Sequence, residues 1–519
     1  MLFIFICFPS KVRIGKFRDK LIFEGALVGF YTGIIVVAFR FLLELLEGWR
    51  TGFLDISNKS PYLWFVYILI LVFVAFSIRR MVSKEPLIKG SGIPQVQGYL
   101  LNILHLDWLN VLIGKFFGAL LTIGAGLSLG QEGPAVQLGS CIGKGLGELF
   151  GHNKSETQYL VACGVSAGLA AAFNAPLAGV MFTLEEVQKG FSTRVLCSSL
   201  VAAVTADFIS KRFFGMEPIL GFATLEPLPL NMYHYALILG VVMALLGVLF
   251  NIVLIRSIKF SDKNKYIKGE NKFLPPFIVA GILAATLPEA LGSGHHILLD
   301  LTKMEWSLGF LMMLLIVKFL FTMICFSSGA PGGTFLPMLA LGGIAGAILG
   351  NLYIHIFDLP TIYLMNMVVY AMLAYLTAVV RAPITGIILI SEMTGTFAHF
   401  LPLVMVAIVA YIVADLLGCE PLYESLLERV TMIMPDYACL KNNDMTIEVA
   451  VHMGAPVVGK TIGEVDWPED CHSIKLRRGY RKAMSHKDTI IRAGDAIEIS
   501  TIETSASRTR KHVMEIAQK

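Results

Sequence analysis

FNAPLAGVMFTLEE, Phe173–Glu186, returns 207 residues later as VRAPITGIILISEM, Val380–Met393. Pro176 falls on Pro383, Gly179 on Gly386 and Glu185 on Glu392. Earlier in each half, GQEGPAVQLGSCIG (Gly130–Gly143) is answered by GTFLPMLALGGIAG (Gly333–Gly346) at an offset of 203, with Gly130, Pro134, Gly139 and Gly143 matched to Gly333, Pro337, Gly342 and Gly346. Two matches in one order at nearly one offset make the chain an internal repeat. Apolar segments interrupted at corresponding places in two halves point to a binding site where the halves meet, near the middle of a bilayer.

The composition requires a bilayer. Of 519 residues, 55% are hydrophobic and 15% charged, against about 25% charged in soluble domains. A net charge of +4 gives no basic face for nucleic acid. Tyr62–Ile78, Met232–Ile255, Tyr363–Val380 and Phe397–Ala414 are charge-free and close to the length that spans a membrane. Shorter apolar pieces lie between them: Leu109–Leu129, Pro134–Phe150, Leu160–Leu184, Leu274–Leu287 and Phe335–Leu349. Forty-eight glycines predict close helix packing. Helices that stop at mid-depth are tolerated only around a protein-lined cavity, which favours a transporter or channel over an anchor. The eight cysteines show neither metal spacing nor a disulfide framework. Lys11, Arg13, Lys16, Arg18 and Lys20 precede the first long apolar segment and predict a cytoplasmic N-terminus.

After Pro435 the chain turns polar. Alternation at Ile447, Val449 and Val451, at Ile474 and Leu476, and at Ile497 and Ile499 predicts short strands. Turns are predicted at Arg478-Gly479 and Ala493-Gly494-Asp495, with a short helix over Gly459–Val465.

Four Gly- or Pro-punctuated motifs open apolar segments: Gly90-Ser91-Gly92-Ile93-Pro94, Gly130-Gln131-Glu132-Gly133-Pro134, Gly332-Gly333-Thr334-Phe335-Leu336-Pro337 and Pro421-Leu422-Tyr423. A helix N-terminus offers free N–H groups and partial positive charge. Glycine lets the backbone approach an ion, and proline suits the first turn. Several such openings converging at mid-membrane would hold an anion loosely enough to release it. An acid at that depth, Glu132 above all, is a functional candidate.

GSGIP, GxEGP and GGxFxP in this order, within a repeat, resemble the CLC anion-transport family over roughly residues 20–430. The resemblance implies that Ser91 and Tyr423 coordinate a central anion together with the backbone N–H groups of Thr334 and Phe335. It implies that Glu132 is the external gate, competing with the anion and swinging out when protonated. Glu186 matches the inner proton-transfer glutamate that channel members usually lack. Ser91 is the residue of chloride-preferring members, and Gln131 departs from the Lys or Arg of many relatives. Glu185 and Glu392 are read as structural acids. The tail resembles a TrkA-C module in Val457-Val458-Gly459-Lys460 and Ala493-Gly494-Asp495-Ala496-Ile497; such modules bind small ligands or serve as ligand-free dimerisation units.

The expected fold is an all-α polytopic membrane protein, an inverted repeat of tilted and partly broken helices, with a small C-terminal α+β domain. The expected layout is a cytoplasmic segment 1–20, a transmembrane domain 21–435 with halves of about 21–210 and 230–430, and a cytoplasmic regulatory domain 436–519. The resemblance implies a chloride/proton antiporter in a bacterial plasma membrane, a homodimer in a lipid bilayer with both termini cytoplasmic. It implies no metal and no cofactor, with chloride and protons as the transported species and a small regulatory ligand as one reading of the tail. The alternatives are a passive voltage- or proton-gated chloride channel, an intramembrane acid–base enzyme built on Glu132 and Glu186, and a receptor working through its tail. No nucleophile or HExxH pattern accompanies the acids to favour the enzyme.

Overall fold

The computed structural model describes residues 17–57, 61–221, 225–263, 269–301, 306–433, 444–452, 454–468, 471–478, 486–502 and 506–518. Two compact units emerge, one of Met1–Leu100 with Leu106–Val430, the other of Thr431–Lys519 with Leu101–His105. The expected cytoplasmic segment and the boundary at Pro435 fall largely or wholly outside the described residues.

The first half of the large unit runs through α1 (Phe17–Ser57), α2 (Pro61–Lys84), α3 (Ile93–Leu100), α4 (Trp108–Gly124), α5 (Glu132–Leu149), α6 (Lys154–Phe173), α7 (Pro176–Phe182) and α8 (Thr193–Phe214). The second repeats it with α9 (Tyr233–Lys263), α10 (Leu274–Thr286), α11 (His295–Asp300), α12 (Leu308–Ser327), α13 (Phe335–Phe357), α14 (Leu364–Val380), α15 (Pro383–Thr394) and α16 (Phe400–Leu416). A last helix, α17 (Leu422–Ile433), follows. Six helices among the described residues are long and apolar enough to cross a membrane. On α2, Phe65, Leu69, Phe73 and Phe76 are exposed at helical spacing, a face suited to lipid.

Local chemistry sets the breaks. The run Leu160–Leu184, read as one apolar piece, is two helices. α6 ends on Asn174 in the left-handed region (φ 51) and α7 opens with Pro176 at its first turn. Proline disfavours helical backbone in the residue before it, and Ala175 accordingly lies outside the helical region (φ −129, ψ 78). The repeat mate behaves alike: α14 ends on left-handed Arg381 (φ 68), Ala382 lies outside the helical region (φ −114, ψ 77), and Pro383 opens α15. The two breaks then cap each other across the halves. Glu392 accepts from the amides of Leu177 and Ala178 at 3.1 and 2.9 Å, while Glu185 accepts from those of Ile384 and Thr385 at 3.1 and 2.6 Å. A carboxylate at a helix N-terminus satisfies free N–H groups and opposes the dipole. Both acids act as struts between repeats.

The charge-based reading of spans overlooked two helices. α1 carries Arg40, Glu44, Glu47 and Arg50, and α12 carries Lys318. On α1 these charges recur every three or four residues and share a face, while Phe41 and Leu45 remain exposed. Phe397–Ala414 was read as a clean span; α16 starts later, at Phe400, and has 17 residues.

In the small unit, β1 (Asp444–Ala450), β2 (Cys471–Arg477) and β3 (Ala496–Ile502) form an antiparallel sheet of order β1-β3-β2. Ile447 faces Ile499 and Val449 faces Ile497, and these residues form the core with Leu476. A 3₁₀ turn over Ile462–Glu464 stands where the short helix was expected. The sequence reading missed α18 (Ala506–Gln518), whose Val513 and Ala517 close the core. Gly479 of one predicted turn lies outside the described residues.

Buried Asp495 pins the end of this sheet. It accepts from Arg478 Nε and Nη2, both at 2.7 Å, and from the Arg492 amide at 2.8 Å. Burial alone would raise its carboxyl, but these donors outweigh burial and hold it below the usual carboxylate range. A depressed pKa contributes stability above the unfolded value and loses it as pH falls through the folded one. Asp495→Asn should therefore loosen the sheet by about 2 kcal/mol at neutral pH, seen as faster amide exchange in β1 and β3, with the gap to the parent closing in acid.

Candidate anion pathway

The motifs meet where the halves meet. Gly130 donates to Gly333 O at 2.6 Å and Gly333 donates back to Gly130 O at 2.7 Å, so a repeat position pairs with its own mate. Gly90 donates to Gly329 O at 3.2 Å, and Gly332 donates to Gly90 O at 2.9 Å. The turns that open α3, α5 and α13 are thereby stitched into one backbone knot.

Within that knot Ser91, Glu132, Thr334, Phe335 and Tyr423 are all buried. A Cβ on Gly133 would stand 2.5 Å from Ser91 Oγ, and one on Gly130 would stand 2.2 Å from Glu132 Oε2. At Gly133 the Ser91 carbonyl, 2.6 Å from that Cβ, admits only glycine, whereas at Gly130 the Glu132 carboxylate would have to move. The Glu132 carboxylate faces the amides of Gln131, Glu132 itself and Leu336, in the opening turns of α5 and α13. Tyr423, in the first turn of α17, places its hydroxyl beside Thr334 and within electrostatic reach of both Glu132 and Glu186.

Ser91 Oγ, Thr334 Oγ1, Tyr423 OH and both Glu132 carboxylate oxygens are buried, and none completes a well-formed hydrogen bond. Each such group costs about 1–3 kcal/mol when left unsatisfied. Their gathering at converging helix openings describes a cradle for an anion, which hydroxyls and amides can serve as donors. A carboxylate can enter the same space in the anion's stead.

Glu186 stands apart from the cradle. It lies in a π-helical turn, Thr183–Val187, a rare distortion frequent at functional sites. Gln97 Nε2 donates to Glu186 Oε1 at 3.1 Å and to its carbonyl at 2.9 Å. Among the described residues, no group of three or more His, Cys, Asp or Glu side chains is placed to hold a metal.

A family model described as voltage gated chloride channel matches residues 70–415. The chain belongs to the voltage gated chloride channel family. A TrkA-C domain model matches residues 446–512, so the small unit is a TrkA-C domain. The H(+)/Cl(-) exchange transporter ClcA of Vibrio vulnificus (strain YJ016) is 36% identical over 428 residues, covering 80% of this chain and 91% of that protein. Its namesake in Salmonella schwarzengrund is 34% identical over 436 residues, covering 81% and 91%. The crystal structure of a slow cyanobacterial Cl−/H+ antiporter matches with a TM-score of 0.76 and 32% identity, covering 80% of this chain and 98% of that one.

Within this voltage gated chloride channel fold, two buried lysines escaped the sequence reading. Lys115 donates to the carbonyls of Ile88 and Gly90 at 3.0 and 2.6 Å, and Lys318 donates to those of Ala290 and Gly292 at 2.9 and 2.6 Å. They are repeat mates at the same offset of 203, and each braces a Gly-Ser-Gly turn: Gly90-Ser91-Gly92 or Gly292-Ser293-Gly294. Extending the repeat alignment upstream would have found both. Gln97 had no such signal.

Proposed function

We propose that this membrane protein exchanges chloride for protons, one chloride cradle and one pair of acids per chain. Chloride, stripped of water, takes donors from Ser91, Tyr423 and the amides of Thr334 and Phe335. Glu132 is the external gate: as a carboxylate it fills the amide-lined position, and as a neutral acid it yields that position. Chloride and the charged side chain exclude each other, and that exclusion couples the two fluxes. Glu186, held by Gln97, passes protons between Glu132 and the inner solution. The observation that carries this reading is the set of unpartnered buried oxygens on Ser91, Thr334, Tyr423 and Glu132, gathered where the repeats meet.

The proposal extends to a homodimer in a bacterial plasma membrane with both termini in the cytoplasm, where basic residues precede the first span. The TrkA-C domain is then a cytoplasmic regulatory or dimerisation module. Ser91 makes chloride the favoured anion.

Paired chloride and proton electrodes on proteoliposomes test the function. A chloride gradient should drive protons uphill, whereas a passive channel would ignore an imposed pH step. Glu186→Gln should cut proton flux by about a hundredfold or more while chloride still moves. Uphill proton pumping by that variant would remove Glu186 from the path.

A further inference from the structure

An open cleft of about 570 Å³, its open mouth included, lies over the gate. Its lining includes Gln131 and Leu336, whose amides face the Glu132 carboxylate, together with Arg40, Glu44, Glu47 and His295. Arg40 donates through Nη1 to Ala171 O at 2.6 Å, Ser210 Oγ at 2.8 Å and Asn174 Oδ1 at 3.0 Å, and its charge faces Glu44. Gln131 brings no charge. The two carboxylates offset Arg40 and Arg50, so the entrance has no net positive charge with which to gather an anion. Chloride collection therefore does not explain them.

Their neighbours suggest another cargo. Glu47 Oε2 stands 3.6 Å from His296 Nε2, and the rings of His295 and His296 are 6.0 Å apart. His296 is largely exposed on its side chain, whereas His295 lines the cleft. The set thus runs from solvent at His296 to Glu47 and His295, which line the same cleft as Gln131 and Leu336 beside Glu132. Histidine exchanges protons near its ordinary pKa of about 6.5; the hydrogen bond with Glu47 raises His296 above that value, whereas burial pushes His295 down to about 4, so His296 is the ring that charges near neutrality. The remaining charged groups facing this set are Arg40 and Arg50 from α1, Asp300 from α11 and Lys318 from α12. Arg50 donates to Gly124 O at 3.2 Å and Lys318 to Gly292 O at 2.6 Å, so both are anchored by backbone. The turn bearing the histidines, Gly292-Ser293-Gly294-His295-His296, is the repeat mate of Gly90-Ser91-Gly92-Ile93-Pro94. One copy of the motif serves the anion, and its mate lies at the cleft.

We propose that Glu47, His295 and His296 form a proton-collecting station at the outer mouth, feeding Glu132 through the cleft. This deepens the exchange reading and rests on Glu132 as the gate. No bond other than to the proton is made or broken; each proton leaving water for His296 or Glu47 is handed on to the Glu132 carboxylate.

The test measures coupled exchange in proteoliposomes with outer pH varied. The triple variant Glu47→Gln, His295→Gln, His296→Gln should slow exchange on the order of tenfold at about pH 7.5, where protons are scarce, and by less than about twofold near pH 5. His296→Gln alone, at an exposed position, should show the same pH signature more weakly. In a Glu132→Gln background the triple substitution should not slow chloride leak, which needs no proton. Equal slowing at both pH values, or slowing of that leak, would overturn the station in favour of a structural or anion-collecting role. A parent protein that moves no protons would instead overturn the exchange reading itself.

Discussion

Glu132→Gln should stop proton movement while chloride continues to flow, a loss of proton flux of at least about a hundredfold. Glutamine matches the buried side chain in volume, so the knot around Gly130 and Gly333 should persist. It differs in two ways that matter. It carries no proton at any accessible pH, and it lacks the negative charge proposed to compete with chloride for the amides of α5 and α13. The parent should transport chloride faster as pH falls, because protonation removes the competing carboxylate. The variant should be flat across the same range. Paired electrodes read both fluxes in one vesicle population, and residual proton movement strictly proportional to chloride would mean that another group carries the proton past the cradle.

What the residues disclosed in advance was the part encoded in short range. The offsets of 203 and 207 are visible because a glycine or proline at a helix opening is dictated by local backbone chemistry, and the same chemistry recurs in each half. The turns around Ser91, Glu132 and Thr334 were legible for this reason, and so was the apolar character of α2 and α9. The hydrogen bonds between Gly130 and Gly333 were not, since pairing across the repeat depends on how whole halves pack.

The misses share a physical cause. Charge counting treats each Arg or Lys as a bar to burial, yet Lys318 gives up water for two carbonyls, and Arg40 gives it up for a carbonyl, an amide oxygen and a hydroxyl. Buried cations that find acceptors are affordable. A demand for charge-free runs cannot see the acceptors, so α1 and α12 were overlooked although both are apolar enough to span. Gln97 was missed because its partner is 89 positions away. In the tail, α18 was missed because its sequence is polar and, among the described residues, only Val513, Ile516 and Ala517 reach the core.

Gly139→Ala should be among the most damaging single substitutions in the chain, although it adds one methyl group. α5 and α6 cross backbone to backbone. A Cβ on Gly139 would stand 2.0 Å from Gly164 O, and one on Gly164 would stand 2.0 Å from Gly139 O. Neighbouring turns are as close: a Cβ on Gly143 would reach Leu160 O at 2.2 Å, and one on Gly168 would reach Ala135 O at 2.3 Å. Gly139, Gly143 and Gly147 recur every fourth residue, the small-residue spacing that lets membrane helices approach. A carbonyl in a helix cannot rotate away as a flexible side chain would, so the helices must separate. The expected cost is about 3 kcal/mol or more, seen as a lower yield of folded protein and an earlier thermal transition in detergent. Gly48→Ala is the matched control, since a Cβ there meets nothing within 4 Å and alanine favours helix; it should be neutral or slightly stabilising. Because α5 begins at Glu132, any Gly139→Ala protein that does fold should carry a displaced Glu132, the proposed gate. Its proton-to-chloride ratio should fall even where its fold survives, which separates a shifted α5 from a simple loss of protein.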